Sequence, residues 1–103
     1  YPAQLYTDQD GVWWDDGNAE PGGILWSDVY RVSVGCIDTI TRNDLLLTLD
    51  WDYGEYVDLK DEWPGFWDVA TAITLRLPGV DPNWLVRAKD LKPRESLDVW
   101  IRP

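Results

Sequence analysis

From Leu45 to Leu77 the apolar positions change period once, and the change predicts two strands followed by a helix. Leu45, Leu47, Leu49 and Trp51 alternate with Leu46, Thr48 and Asp50, and Val57 and Leu59 alternate with Tyr56, Asp58 and Lys60. A period of two belongs to a strand with one buried face. Residue type then fixes the register. A two-residue turn at Tyr53 and Gly54 sets Leu49 against Asp58 and Asp52 against Glu55, opposing apolar to charged and like to like. A three-residue loop, Asp52 to Gly54, instead sets Leu49 against Val57 and Leu47 against Leu59, with Gly54 free for the left-handed conformation of a bulge. The predicted inner face is Leu45, Leu47, Leu49, Trp51, Val57 and Leu59; the outer face is Leu46, Thr48, Asp50, Tyr56, Asp58 and Lys60.

After Trp63 the period lengthens. Phe66, Val69, Ala70, Ile73 and Leu77 form one helical stripe, Pro64 suits a first turn, and Pro78-Gly79 stops the run, so a helix is predicted over about 64–77. Asp61 and Glu62 would sit beside its positive end.

Earlier in the chain, Gln4–Thr7 and Val12–Trp14 flank the turn-forming run Asp8-Gln9-Asp10-Gly11, which predicts an opening hairpin. The run also looks like a fragment of a calcium loop. The third acidic position, the correctly placed glycine and the terminal Glu are missing, so no metal is expected there. The stretch 15–23, rich in Gly, Asp and Asn, reads as a loop. Trp26 and Val29 suggest a local turn before a strand in which Val32, Val34 and Cys36 are buried. The polar run 38–44 links that strand to the central hairpin. Asp81-Pro82 opens a short helix through Trp84, Leu85, Ala88 and Leu91, with a strand through Trp84, Val86 and Ala88 as the alternative. Leu97, Val99 and Ile101 alternate with Asp98, Trp100 and Arg102 and predict a terminal strand. The sum is a single α+β domain over residues 1–103. Its antiparallel, strongly bent sheet of about five to seven strands would pack on one principal helix, as in pleckstrin-homology-like domains.

Composition narrows the chemistry. The chain has no His and one Cys, Cys36, so an internal disulfide and the usual zinc and haem ligand sets are excluded, and Cys36 reads as a small core residue. No cofactor is expected. No apolar run approaches the ~18 residues of a membrane span, no signal peptide is visible, and a cytoplasmic protein is expected. A start at Tyr1 rather than Met suggests a processed or trimmed chain. Charge is uneven: residues 1–62 hold 14 acids and 3 bases, residues 63–103 hold 5 acids and 6 bases, and the formal net charge is −10. Such a field serves solubility, repels nucleic acid and anionic lipid, and steers cationic partners toward the acidic first half.

Several short runs are similar to a group of small, acidic, uncharacterised bacterial proteins. They are Trp26-Ser27-Asp28-Val29, Asp38 with Thr41 and Asp44-Leu45, Gly54 with Val57, Glu62-Trp63-Pro64-Gly65-Phe66, Leu77-Pro78-Gly79 and Trp84, and the likeness covers about residues 24–88. The spacing from Thr41 to Asp44 is one residue longer than is usual in that group. The resemblance implies an immunity or accessory protein of the kind encoded near bacterial toxins, with no enzymatic activity.

The residues favour binding over catalysis. No nucleophile motif or phosphate-binding glycine loop is present, and the carboxylates Asp50, Asp52, Glu55, Asp58, Asp61 and Glu62 lie on strand exteriors and turns, where solvation is the ordinary state. Of eight tryptophans, Trp26, Trp51, Trp67 and Trp84 fall at core positions. One of Trp13 and Trp14 must face outward, and Trp63 and Trp100 occupy an element end and an outward strand position. The leading expectation is a non-catalytic protein that binds a cationic protein partner such as a toxin or nuclease. Asp15, Asp16, Asp50, Tyr56 and Asp58 would steer and position that partner, with Trp14 and Trp63 as anchors. The alternatives are a carbohydrate-binding module using exposed Trp and a small structural or accessory subunit that self-associates through a sheet edge.

Overall fold

A computed structural model describes residues 4–15, 17, 22–38, 43–51 and 54–103. In chain order these form strands β1 (Gln4–Thr7), β2 (Gly11–Asp15) and β3 (Gly22–Leu25), a 3-10 turn at Trp26–Asp28, and strands β4 (Val29–Asp38), β5 (Asn43–Trp51) and β6 (Glu55–Lys60). Helices α1 (Phe66–Arg76) and α2 (Trp84–Lys89) and strand β7 (Ser96–Ile101) complete the chain. The architecture is α+β. The strands divide into two antiparallel sheets, one of order β1-β2-β3 and one of order β6-β5-β4-β7, in place of the single bent sheet expected from sequence. The break falls at the 3-10 turn. There the Trp26 amide donates to the Asp10 carbonyl at 2.9 Å and its indole N–H to the Asp8 carbonyl at 3.0 Å, tying the chain back to the first hairpin before β4 starts the second sheet.

The central hairpin has the register that its residue types require. Leu49 faces Val57, Leu47 faces Leu59 and Trp51 faces Glu55, and Gly54, just before β6, has a φ of 78°. Leu47, Leu49 and Leu59 are fully buried. Their inner face shares one core with Val32 and Val34 of β4, Leu5, Val12 and Ile24 of the smaller sheet, and the helix residues Phe66, Val69, Ala70, Ile73 and Trp84. The two sheets are therefore coupled through common side chains.

Helix α1 begins with the first residue of the apolar stripe, two residues later than the expected start at Pro64. Pro64 stays outside it, and Gly65, with a φ of 88°, precedes the first helical residue. The position requires glycine twice over. A side chain is disfavoured at positive φ, and a Cβ there would collide with the backbone carbonyl of Leu5, because β1 runs against this corner with the Leu5 amide donating to the Pro64 carbonyl at 2.8 Å. Asp68 in the first turn and Arg76 in the last complement the helix dipole. The region around Trp84 is the short helix rather than the strand. The Asp81 carboxylate accepts the Asn83 amide at 2.9 Å and so starts the turn that leads into it.

Two expectations are corrected by local detail. Residues 22–23, read as the end of a loop, belong to β3, where Gly22 pairs with Trp14 and Gly23 with Trp13. A Cβ on either glycine would run into the indole ring of its partner, so here glycine marks backbone covered by aromatic rings. In β7 the alternation breaks. Val32 pairs with Trp100 and Ser33 with Asp98, so Val99 is the extra residue of a bulge. Val99 and Trp100 are both buried, and Ile101, expected inside, is 60% exposed.

Candidate interaction surface

The inner face of the four-stranded sheet is core, and its other face carries the candidate site. Register places the outer side chains in cross-strand rows. One row runs Tyr56, Asp50, Arg31, Ile101, and the next runs Asp58, Thr48, Ser33, Asp98. Neighbours in a row are close enough to interact directly, which is why these types and not merely their spacing matter. The Thr48 hydroxyl donates to Asp58 Oδ1 at 2.7 Å. Arg31 donates from Nε at 3.2 Å and Nη2 at 2.7 Å to a single oxygen, Asp98 Oδ1. The hydrogen bond and charge of Asp98, with a smaller contribution from Asp50, hold the Arg31 guanidinium more firmly protonated than usual.

The face is divided electrostatically. Toward β7 the Arg31–Asp98 pair is internally neutralised. Toward β6, Tyr56 is 62% exposed and stands beside Asp50 in its own row and near Asp58 in the next. That half presents a phenol beside two carboxylates, with the exposed Lys60 in the row beyond Asp58, and the phenol and carboxylates together can accept hydrogen bonds from a cationic side chain and cover its apolar stem.

Three of the expected site residues, Asp50, Tyr56 and Asp58, thus come together. The others do not join them. Trp14 is half-buried and packs against the core on the inner face of the smaller sheet, and Trp63, in the turn before α1, is also half-buried against the core. Asp15 is exposed at the end of β2, where its carboxylate accepts the Gly17 amide at 3.0 Å. Asp16 lies outside the described residues. Asp8, read against a calcium loop, instead closes the first hairpin: its Oδ1 accepts the amides of Asp10 at 2.8 Å and Gly11 at 2.9 Å. Its carboxyl is held below the ordinary value, first by the Trp13 indole N–H and then by those two amides. The Trp13 nitrogen is covered and lacks a hydrogen bond of good geometry, so its influence on Asp8 is electrostatic.

Two aromatic features lie outside the expected site, and of these only the outward turn of Trp13 or Trp14 is predicted by alternation. Trp67, expected in the core, is 46% exposed, with its ring edge-on to Phe66 at 5.0 Å and the Lys89 ammonium 5.2 Å from its centroid. Its place one residue off the helical stripe was the available signal. On the outer face of the smaller sheet, Tyr6 and Trp13 are cross-strand partners, with Tyr6 47% exposed and Leu25 43% exposed on the same side. Among the described residues no group of three or more carboxylate or thiol side chains is placed to hold a metal ion, and no helix is long and apolar enough to cross a membrane.

Fold and surface define an α+β protein of two antiparallel sheets with an open, polar sheet face. In comparisons with known protein families, curated proteins and solved structures, the chain matches none.

Proposed function

We propose that this chain is a non-catalytic binding protein that engages a cationic protein partner through the outer face of its four-stranded sheet. The observation that carries the reading is the exposed Tyr56 set beside Asp50 and near Asp58 on the outer face of the sheet. Carboxylates there raise the rate of encounter with a basic surface, and an aromatic side chain supplies contact area that slows dissociation. A toxin or nuclease that the chain neutralises is the partner implied by the resemblance to small acidic bacterial proteins. The pleckstrin-homology-like description belongs to the same proposal, supported by two antiparallel sheets that share one core with α1.

The test is affinity capture from the native cell by the wild-type chain and by a D50N/Y56A/D58N variant, at salt of ~0.05 M and ~0.5 M, which brackets strong and weak screening. Basic proteins held by the wild type at low salt should be lost both at high salt and from the variant. Equal capture under all four conditions would remove the proposal.

A second reading, carbohydrate binding, is favoured by the Tyr6–Trp13 pair, since adjacent rings on a flat strand face can stack on sugars. It predicts a tryptophan fluorescence change with oligosaccharides that is insensitive to salt and absent from W13A. A flat response across a glycan panel disposes of it.

A further inference from the structure

Where the four-stranded sheet meets the ends of both helices there is a cavity of about 330 Å³ lined by Cys36, Leu45, Asp61, Trp67, Lys89 and Leu91. Cys36 and Leu45 are cross-strand partners on β4 and β5, and the Asp61 amide donates to the Leu45 carbonyl at 3.1 Å, tying Asp61 to β5. Asp61 Oδ1 is covered and has no hydrogen-bond partner. A carboxylate oxygen kept from water in this way gains from any N–H that reaches it. In the same lining the half-exposed Trp67 ring already receives a cation, since Lys89 Nζ stands 5.2 Å from its centroid and is not among the ion pairs of the described residues. The local field is negative. The Cys36 thiol is pushed up, first by burial and then by the charges of Asp38, Asp44, Asp61 and Glu95.

We propose that this cavity binds an organic cation, a guanidinium or alkylammonium group, which stacks on Trp67, donates to Asp61 and lays its apolar stem against Leu45 and Leu91, with Lys89 as the internal occupant that it displaces. A planar guanidinium suits the site better than the lysine, because it can stack on an indole and present N–H groups in the ring plane at the same time. The cation can come from an arginine side chain of a protein or from a free small amine, and only the first source rests on the function proposed above.

The experiment is an NMR titration of the isotopically labelled chain, which needs no partner. The probes are ethylguanidinium, its neutral isostere ethylurea, agmatine, and a blocked Ala-Arg-Ala tripeptide. Saturable shifts are expected at the Trp67 indole and at Asp61, Lys89 and Cys36 with the cations but not with ethylurea. D61N and W67A should each weaken ethylguanidinium at least tenfold. K89A should strengthen it about threefold or more, whereas R87A, which removes a charge from the same helix outside the cavity, should leave it unchanged. Tighter binding of the tripeptide than of agmatine assigns the site to a protein side chain; the reverse assigns it to a free amine. Shifts that fail to saturate, that spread over all surface carboxylates, or that ethylurea reproduces overturn the proposal, as does K89A behaving like R87A. Failure here leaves the sheet-face reading intact if the D50N/Y56A/D58N variant still loses its captured proteins, and failure of that capture leaves the cavity titration to be read by itself.

Discussion

The corner at Gly65 joins the smaller sheet to α1, and its cost of substitution can be worked out and isolated. Gly65 and Gly54 both have left-handed backbone, with φ of 88° and 78°. Among the described residues nothing lies within 4 Å of a Cβ built on Gly54, whereas one built on Gly65 would strike the Leu5 carbonyl. Placing an L-residue in the left-handed region costs ~1–2 kcal/mol, and that is the whole expected cost of G54A. In G65A the β1 strand must also withdraw from the helix start. The Leu5-to-Pro64 hydrogen bond at 2.8 Å is lost, worth ~0.5–1.5 kcal/mol net, and the fully buried Leu5 side chain loosens its contact with the core. The total for G65A is then ~2–4 kcal/mol, roughly twice that for G54A. Urea unfolding of the two variants side by side measures the difference directly, provided both transitions are two-state. Amide exchange supplies an independent reading, because Leu5 N–H should lose protection in G65A alone. Equal destabilisation of the two variants, or unchanged protection at Leu5, would show that β1 does not press on the helix start and that the two sheets are coupled in some other way.

Two further outcomes follow from individual side chains. Trp100 is buried and its indole donates to the Pro78 carbonyl at 2.8 Å, so W100F should cost ~2–4 kcal/mol through lost volume and an unpaired carbonyl, while W67F, at an exposed ring, should cost less than ~1 kcal/mol in the same urea experiment. A larger loss for W67F than for W100F would reverse the placement of the two rings. Asp8 has a folded pKa below its ordinary value of 3.8, so what it contributes to stability is present above that value and disappears as pH falls through the folded one. A residue-specific NMR titration should therefore give a midpoint below 3.8, and W13F should move it upward; a wild-type midpoint at or above 3.8 would contradict the influence of the Trp13 N–H on Asp8.

The period of the apolar positions revealed most of the secondary structure, and its failures have local physical causes. The hairpin of β5 and β6 was legible to the register because charge and apolarity leave only one acceptable pairing. Trp67 and Trp100 exchanged places for two different reasons. Strict alternation assumes an uninterrupted ladder, and the bulge at Val99 shifts Trp100 inward by one residue, a change that a run of well-formed strand residues does not advertise. Hydrophobicity alone assigns Trp67 to the core, whereas its helical angle points away from the stripe of Phe66, Val69, Ala70 and Ile73. The glycines at 22–23 are ambiguous because loop and aromatic-covered strand use the same residue, and only the cross-strand pairing with Trp13 and Trp14 distinguishes them. Of the candidate site, Asp50, Tyr56 and Asp58 could be grouped from alternation alone. Asp15, Trp14 and Trp63 could not be separated from them, because no local pattern reveals which sheet a strand joins.

The residues of the outer face do little to hold the fold together, and this is what makes them useful to interrogate. Arg31 and Asp98 are about half exposed, 47% and 51% by side chain, and a surface ion pair of this kind contributes ~0–1 kcal/mol. Among the described residues Asp50 makes no side-chain hydrogen bond comparable to that of Asp58, and Tyr56 is mostly in solvent. Asn at position 58 keeps an oxygen that can accept the Thr48 hydroxyl at its present 2.7 Å, so D58N removes charge without removing the bond. The D50N/Y56A/D58N variant should therefore unfold within ~1 kcal/mol of the wild type, each substitution lying away from the core mechanisms that produce large losses. Removing two like charges from a chain of net charge −10 also relieves self-repulsion, which offsets part of any loss. If urea unfolding shows the variant destabilised by more than ~2 kcal/mol, these side chains are structural after all, and a loss of captured partner could no longer be read as a loss of contact. A variant that keeps its stability while losing its partner would place the function on the side of the sheet that folding leaves unused.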